Sequence, residues 1–524
     1  MSPEPFATRR SSWRRAAAFE AAFALSLGAA LLAATFAGAI PEPIGTVAQP
    51  LAAAAVLALG FVWRPAAGLL AFAIFVLGYD TLALYVGNPV KRTDEIAIPA
   101  IALITLVRYR PWRSFQWSVL REGGIGLFVV AGIVASLVNE VPITIWAPAL
   151  VLVMKPIVVF YVARSIPMDR STVTAGARVV FAIGLVVGGL GLIEAIDPAA
   201  FQRAIGLPEW VRPRGILPSI KSIFTHPAIF AWFMSFLALY SFIGYVHLRR
   251  RWLLVAGFMF GVATFMTARR RAIGAALATV GLAFAWTVRR PRRLVPELRR
   301  WAPVFAACAL MIVAFIPGLV GLYDRTVDRF LPGETPGIDE PIGELPSDDE
   351  NPENSPARVA LYRGSVEIAL DRFPLGAGMG RYGSWMSRVE YSPVYREFGL
   401  DDVRGLNERN SQYATDTFWP MVLGEFGIFG VVGYVAFLAG VAIPLWRAGR
   451  LAPDPMSAVF LVGALAVLVQ AVIESAATPM FTSPPRSYLL FAALGATLAV
   501  WASLTRPSTD PEPEPEPHAE TVAA

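Results

Sequence analysis

Arginines stand directly beside long apolar stretches of this sequence. Arg269, Arg270 and Arg271 separate an apolar run that ends near residue 268 from another that begins near residue 272. Charges so close to membrane-length apolar runs are tolerated mainly when they pair or reach the interface. Because arginine binds phosphate oxygens in bidentate fashion, the triplet predicts an anion site for a phosphate or diphosphate. The alternative is a miscounted span, which would make the three arginines ordinary orientation signals.

A second group of cations precedes the apolar run that starts at Pro227. It contains Arg214, Lys221 and His226. These residues are candidates for the same anion site. The alternatives are a solvated loop that touches lipid headgroups and, for His226, a structural histidine before a helix started by proline.

A third set of candidates in the polar segment after residue 322 is the arginine series at positions 358, 363, 372 and 381. Arg358 is one helical turn before Tyr362, on a predicted surface helix. Arg358 and Arg363 are therefore candidates for binding a substrate phosphate. Alternatively, arginines of such a helix only meet the phosphates of membrane lipids.

Carboxylates mark the following apolar runs. Asp416 stands at the mouth of the run 418–445, and Glu425 lies about two and a half turns inside it. Ionisable groups are costly inside a membrane, so Glu425 is a functional candidate with an arginine as its expected partner. The alternative is an ion pair that only packs helices, and this alternative is stronger for Glu474 in the next run.

The elements that must position these side chains are apolar helices. The chain is 56% hydrophobic and 16% charged, and its apolar residues form blocks near twenty long, each sufficient to span a ~30 Å hydrocarbon core. We expect an all-α polytopic membrane protein with about 12–14 transmembrane helices and one large periplasmic loop. The predicted divisions are a cytoplasmic N-terminal segment 1–15, transmembrane helices in 16–322, the loop 323–417, transmembrane helices in 418–504 and a disordered cytoplasmic tail 505–524.

Charge sets the expected orientation. Most arginines, including residues 249–251 and 289–300, fall in alternate short loops, which the positive-inside rule places in the cytoplasm together with both termini. The same distribution argues against nucleic acid as the partner of this +6 chain. The single cysteine, Cys308, and the absence of Cys/His spacing give no sign of zinc, so we expect no metal and no cofactor.

The large loop divides into two parts. Residues 333–356 are rich in Pro, Glu and Asp and predict a flexible segment. After them, Val359, Tyr362, Val366 and Leu370 recur at helical spacing and predict an amphipathic helix on the outer membrane face. A Gly-rich turn, residues 374–380, ends that helix.

Several of these segments resemble motifs of the O-antigen ligase and polymerase group of bacterial envelope enzymes. The segments are Arg214-Gly215 with Phe224-Thr225-His226-Pro227, Arg271-Ala272, Arg358 followed by Pro374-Leu375-Gly376-Ala377-Gly378, and Leu423-Gly424-Glu425-Phe426-Gly427-Ile428-Phe429-Gly430. The resemblance covers roughly residues 210–440. Ligases of the group carry a histidine before the last motif, where this chain has Thr415-Asp416-Thr417, and this departure favours a polymerase or a diverged relative.

The resemblance implies a metal-independent membrane glycosyltransferase of the bacterial cytoplasmic membrane. Such an enzyme transfers a glycan from a polyprenyl-diphosphate carrier to an acceptor hydroxyl at the outer face, with membrane lipid and other polysaccharide-assembly proteins as partners. The implied roles are catalysis for Asp416, Arg214 and Arg271, diphosphate binding for Arg269, Arg270, Arg358, Arg363 and Lys221, and support for His226 and Glu425. A transporter or flippase of lipid-linked glycans and a non-enzymatic assembly scaffold are the competing classes. A transporter predicts polar residues at mid-membrane in several spans, whereas this sequence concentrates charge near the outer face.

Overall fold

The computed structural model describes residues 44–110, 117–208, 218–288, 294–330 and 356–505, with side chains of 44–46, 316–330 and 356 excepted. The predicted segment 1–15, the first predicted span 16–40, residues 333–355 of the predicted flexible segment and the tail 506–524 lie outside the described residues. Within the described ranges the chain is helical, and its only β pairing is an isolated bridge between Asn407 and Asn410.

The helices follow one another with short connections. Before the large loop they are α1 Ile44–Trp63, α2 Pro65–Val86, α3 Thr93–Tyr109, α4 Gly124–Val138, α5 Ile143–Ser165, α6 Arg170–Glu194, α7 Pro198–Ala204, α8 Pro227–Leu248, α9 Arg251–Met266, α10 Arg270–Thr287 and α11 Leu294–Phe330. From the loop onward they are α12 Pro356–Asp371, α13 Trp385–Val389, α14 Val394–Glu397, α15 Trp419–Leu451, α16 Pro455–Ser475 and α17 Arg486–Thr505.

Nine helices of the described ranges are long and apolar enough to cross a membrane. The prediction of an all-α polytopic membrane protein is confirmed. Four of the predicted spans, 48–63, 94–108, 252–268 and 272–289, form α1, α3, α9 and α10, which are not among the nine. Helix α3 has only 17 residues, and α10 begins with Arg270 and Arg271. The predicted span 302–322 is part of a longer helix, α11.

Close helix contacts hold the bundle together where glycines replace larger side chains. A Cβ atom on Gly124 of α4 would lie 2.7 Å from the carbonyl oxygen of Gly433 in α15. A Cβ on Gly495 of α17 would lie 2.4 Å from the carbonyl oxygen of Phe160 in α5. Such small residues let helices approach closely inside a bilayer, where burial of apolar surface gives little driving force for association. These two contacts fix α15 and α17, whose outer ends carry candidate residues.

The loop between α11 and α15 has a small core of its own. Leu361 and Ile368 of α12 are fully buried with Tyr382, Tyr395 and other loop residues. The predicted amphipathic helix therefore forms, but the predicted apolar face points away from this core. Its four residues are 38–71% exposed, namely Val359, Tyr362, Val366 and Leu370. Contact of that face with the membrane surface stays a prediction.

Candidate functional site

Helix α15 is broken at Gly427, which has φ 66° and ψ −162°. The break leaves the next amide, that of Ile428, free to donate a hydrogen bond to the carbonyl of Pro374 at 3.2 Å. A Cβ on Gly427 would lie 2.4 Å from that same carbonyl oxygen. Positive φ and backbone contact together require glycine here. The Gly-rich turn of the loop therefore replaces the missing helical hydrogen bond.

Two further backbone hydrogen bonds lock the turn onto the break. The amide of Ala377 donates to the carbonyl of Gly424 at 2.7 Å, and that of Gly378 donates to the carbonyl of Glu425 at 3.1 Å. The segments 374–378 and 423–430, which are far apart in sequence, are thus one interlocked structure. The interlock holds the loop at the predicted outer end of α15.

The carboxylate of Glu425 faces the backbone of the same turn. The side chain is fully buried, and its Oε1 accepts a hydrogen bond from the amide of Tyr382 at 2.9 Å. The amides of Gly380 and Arg381 also interact with the carboxylate. Among the described residues, Glu425 forms no ion pair, so its contacts position the turn that carries Arg381 rather than holding an arginine head group directly.

Asp416 and Arg358 form an ion pair at the mouth of α15. Nη2 of Arg358 lies 2.6 Å from Oδ2 of Asp416, and the two side chains are 12% and 27% exposed. The Nε and Nη1 groups of Arg358 are buried and have no hydrogen-bond partner among the described residues. Buried guanidinium groups are normally satisfied, so these two donors are available to a ligand.

Arg486 is a further cation next to this pair. It begins α17, is 7% exposed, and donates from Nη2 to the hydroxyl of Ser483 at 3.0 Å. Its charge interacts with the carboxylates of Glu474 and Asp416. Arg486 was not among the site residues predicted from the sequence. A signal was available, because an arginine directly after Pro484-Pro485 falls on the outer side of the predicted topology, against the positive-inside rule.

The carbonyl end of α16 joins Arg271 to this group. Nη1 of Arg271 donates to the carbonyl of Ala477, and the hydroxyl of Tyr362 donates to the carbonyl of Ala476 at 2.5 Å. The charge of Arg271 also interacts with the carboxylate of Glu474. A helix C-terminus carries partial negative charge and favours cations. The end of α16 therefore gathers side chains from α10 and from the loop.

Five charged groups thus follow one another at this end of the bundle. In spatial order they are Arg271, Glu474, Arg486, Asp416 and Arg358, and we call them the charged row. Positive and negative groups alternate along it, and it combines residues of α10, α12, α16 and α17 with Asp416 of the loop.

The part of the chain that carries most of the charged row resembles a known protein family. Residues 254–435 match the O-antigen ligase family. The match includes Arg271, Arg358, Asp416 and the interlocked glycine motifs, and it confirms the resemblance found in the sequence. No curated protein matches the chain significantly.

Other predicted residues of the O-antigen ligase-like region lie near the row or away from it. Arg269 is 7% exposed and Arg270 is half-buried, both in the turn that carries Arg271. Arg363 is exposed on α12 and has no hydrogen bond or ion pair with described residues. Arg372 donates to Asn139, directly after α4, at 3.0 Å, and this hydrogen bond fastens the loop to α4. Within the loop, Arg372 also pairs with a glutamate of α14 at 2.6 Å.

The predicted cations before α8 serve local structure where they are described. The ammonium of Lys221 is buried and donates to the carbonyl of Pro208 at 2.8 Å, and burial lowers its pKa below the usual range. Nδ1 of His226 accepts from the amide of Ala228 at 3.1 Å and caps α8, which is the structural alternative considered above. Arg214 lies outside the described residues.

Proposed function

We propose that the protein transfers a glycan from a polyprenyl-diphosphate-linked donor to an acceptor hydroxyl at the outer face of the cytoplasmic membrane. The family match supports O-antigen ligase-type or polymerase-type activity in general. The observation that supports the reaction is the pair of Arg358 and Asp416, in which one guanidinium group holds a carboxylate and keeps two buried donors available.

Arginine supplies what the leaving group requires. When the bond to the carrier breaks, negative charge develops on the diphosphate oxygens, and preorganised donors in a partly dry site stabilise that charge. Nε and Nη1 of Arg358 are directed away from Asp416 and suit a phosphate oxygen. Arg271 and Arg486, at the other positions of the charged row, add positive potential from two helix ends.

Asp416 is the proposed proton acceptor. The oxygen of the acceptor hydroxyl bonds to the anomeric carbon, the bond between that carbon and the diphosphate oxygen breaks, and the hydroxyl proton passes to the carboxylate. A general base must lie within reach of the proton that it accepts, and the ion pair with Arg358 holds the carboxylate at the mouth of α15. The residue stands where ligases of the group carry histidine, so a carboxylate would replace an imidazole in the same role.

The test uses protein in detergent micelles with a labelled lipid-diphosphate-linked glycan and an acceptor glycan. A micelle does not separate two compartments. A transporter or flippase therefore yields no covalent product in micelles, whereas the proposed enzyme does. Asp416→Asn should abolish most of the transfer, and Asp402→Asn, at an exposed position of the same loop, serves as the matched control. Full transfer by Asp416→Asn would exclude the carboxylate as the base.

The product distinguishes the two reactions of the group. Repeated addition to the same acceptor gives a ladder of lengths and indicates a polymerase, whereas one addition per acceptor indicates a ligase. A protein that binds the donor and gives neither product would agree with a non-enzymatic scaffold.

A further inference from the structure

A long apolar groove lies between helices of the bundle. Helices α2, α6, α8, α9, α16 and α17 line it, and its volume is about 420 Å³, which is within the ~300–1,000 Å³ range of small-molecule sites. On α8 the lining residues extend from Trp232 to Leu248. At 1.5 Å per residue this is about 24 Å, most of the ~30 Å hydrocarbon core.

Charge is confined to the half of the groove nearest the start of α6. Arg178 and Arg250 are the charged residues among its described lining, which contains no acidic side chain. Both are exposed and form no hydrogen bond or ion pair with described residues. Arg250 immediately precedes α9, at the end of the bundle where α8 stops and α6 starts. The charged row lies at the opposite end, where α10 and α17 start and α16 stops.

Arg178 is the less ordinary of the two arginines. It lies eight residues after the start of α6, about 12 Å along a helix that meets the criteria for a membrane span. A charge at this depth is costly unless it reaches the interface or meets an opposite charge. The described lining contains no carboxylate, so Arg178 meets no opposite charge among these residues.

We propose that this groove binds one anionic phospholipid of the leaflet next to the start of α6. One acyl chain lies along the apolar residues of α6 and α8, and the headgroup phosphate lies between Arg178 and Arg250. Basic pockets between transmembrane helices bind acidic headgroups in this manner. The polyprenyl donor is the less suitable occupant, because the charged residues of the described lining, Arg178 and Arg250, lie away from the charged row that would bind its diphosphate.

The experiment compares lipid binding by matched variants in detergent. The purified protein is stripped of lipid and titrated with dioleoylphosphatidylglycerol or dioleoylphosphatidylcholine, and bound lipid is counted by native mass spectrometry. The double variant Arg178→Gln/Arg250→Gln should lose about 30-fold in apparent affinity for phosphatidylglycerol, since each surface cation contributes roughly fivefold. The neighbouring Arg251→Gln, which does not line the groove, should bind like the parent.

A second pair of variants tests the groove itself. A Cβ on Gly176 of α6 points into the groove, with its nearest neighbour a methyl group of Leu70 at 3.9 Å. Gly176→Phe should therefore block the acyl chain, whereas Gly189→Phe, on the same helix but facing open space, should not.

Four outcomes would overturn the proposal. One is equal binding of both phospholipids by the parent protein, and another is unchanged binding by the double arginine variant. The third is recovery of a polyprenyl lipid in the groove, shown by its loss from Gly176→Phe alone. The fourth is unchanged binding by a folded Gly176→Phe, which would place the lipid elsewhere.

Discussion

The replacement Asp416→Asn separates chemistry from structure at the charged row. Asparagine keeps the shape of the side chain and one oxygen that accepts a hydrogen bond from Nη2 of Arg358. In the parent protein this nitrogen lies 2.6 Å from Oδ2 of Asp416. It removes the negative charge and cannot hold a proton from the acceptor hydroxyl. General bases contribute about 10²–10⁴ to rate, so transfer should fall at least ~100-fold.

The cost to folding should be much smaller. Breaking a fully buried ion pair costs about 3–5 kcal/mol, and an exposed pair contributes at most about 1 kcal/mol. With side chains 12% and 27% exposed, the pair lies between these limits. Because the amide still accepts one hydrogen bond, we expect a loss of about 1–2 kcal/mol. Thermal unfolding and single-turnover transfer, measured on the same preparation, give the two quantities.

A charge swap provides the refutation. The double variant Arg358→Asp/Asp416→Arg restores opposite charges at the same two positions but reverses their places. If the pair only fastens the loop, the swap should recover both stability and transfer relative to the single variants. Our mechanism requires recovery of stability without recovery of transfer, so an active swapped enzyme would refute the assignment of Asp416 as base.

Three other replacements test the interlock and the row. Gly427→Ala should destabilise the protein by about 2–4 kcal/mol through positive φ and the backbone contact, while Gly126→Ala in open space should not, as thermal unfolding would report. Glu425→Gln places an amide donor against backbone amides and should cost about 1–3 kcal/mol, with faster proteolysis of the turn 374–380. Arg486→Lys keeps the charge but loses the planar fork, and should raise the KM for the lipid-linked donor about tenfold, while Arg409→Lys at an exposed position of the loop leaves it unchanged.

The helical architecture could be predicted because it depends on composition and length. Apolar blocks near twenty residues long identified most helices, and the periodicity of the loop identified α12. Features that depend on contacts between distant segments of the chain could not be predicted in this way. The sequence predicts one continuous span over 418–445, because a glycine within an apolar run does not by itself indicate a break. The break at Gly427 exists only because a turn some fifty residues earlier supplies the backbone carbonyl of Pro374.

The site was predictable in part. Arg271, Arg358 and Asp416 were selected, and the structure brings them into one row. Lys221 and His226 were selected by charge and position, but short-range contacts with Pro208 and with the start of α8 account for them. A sequence does not show whether a cation beside a span will meet its own loop or a distant element, because that depends on how the bundle closes.

Arginines that violate the positive-inside rule carry a more general signal than any single motif. Arg271 and Arg486 lie at the starts of α10 and α17 on the predicted outer side. The positive-inside rule does not account for arginines there. Together with Arg358 they place three positive charges beside two carboxylates, so the charged row keeps an excess of positive charge in a partly buried setting. Such an excess is unfavourable while the site is empty and favourable once a diphosphate binds. We therefore expect the row to bind an anion, and the same reasoning applied to Arg178 predicts a second anion at the other end of the bundle.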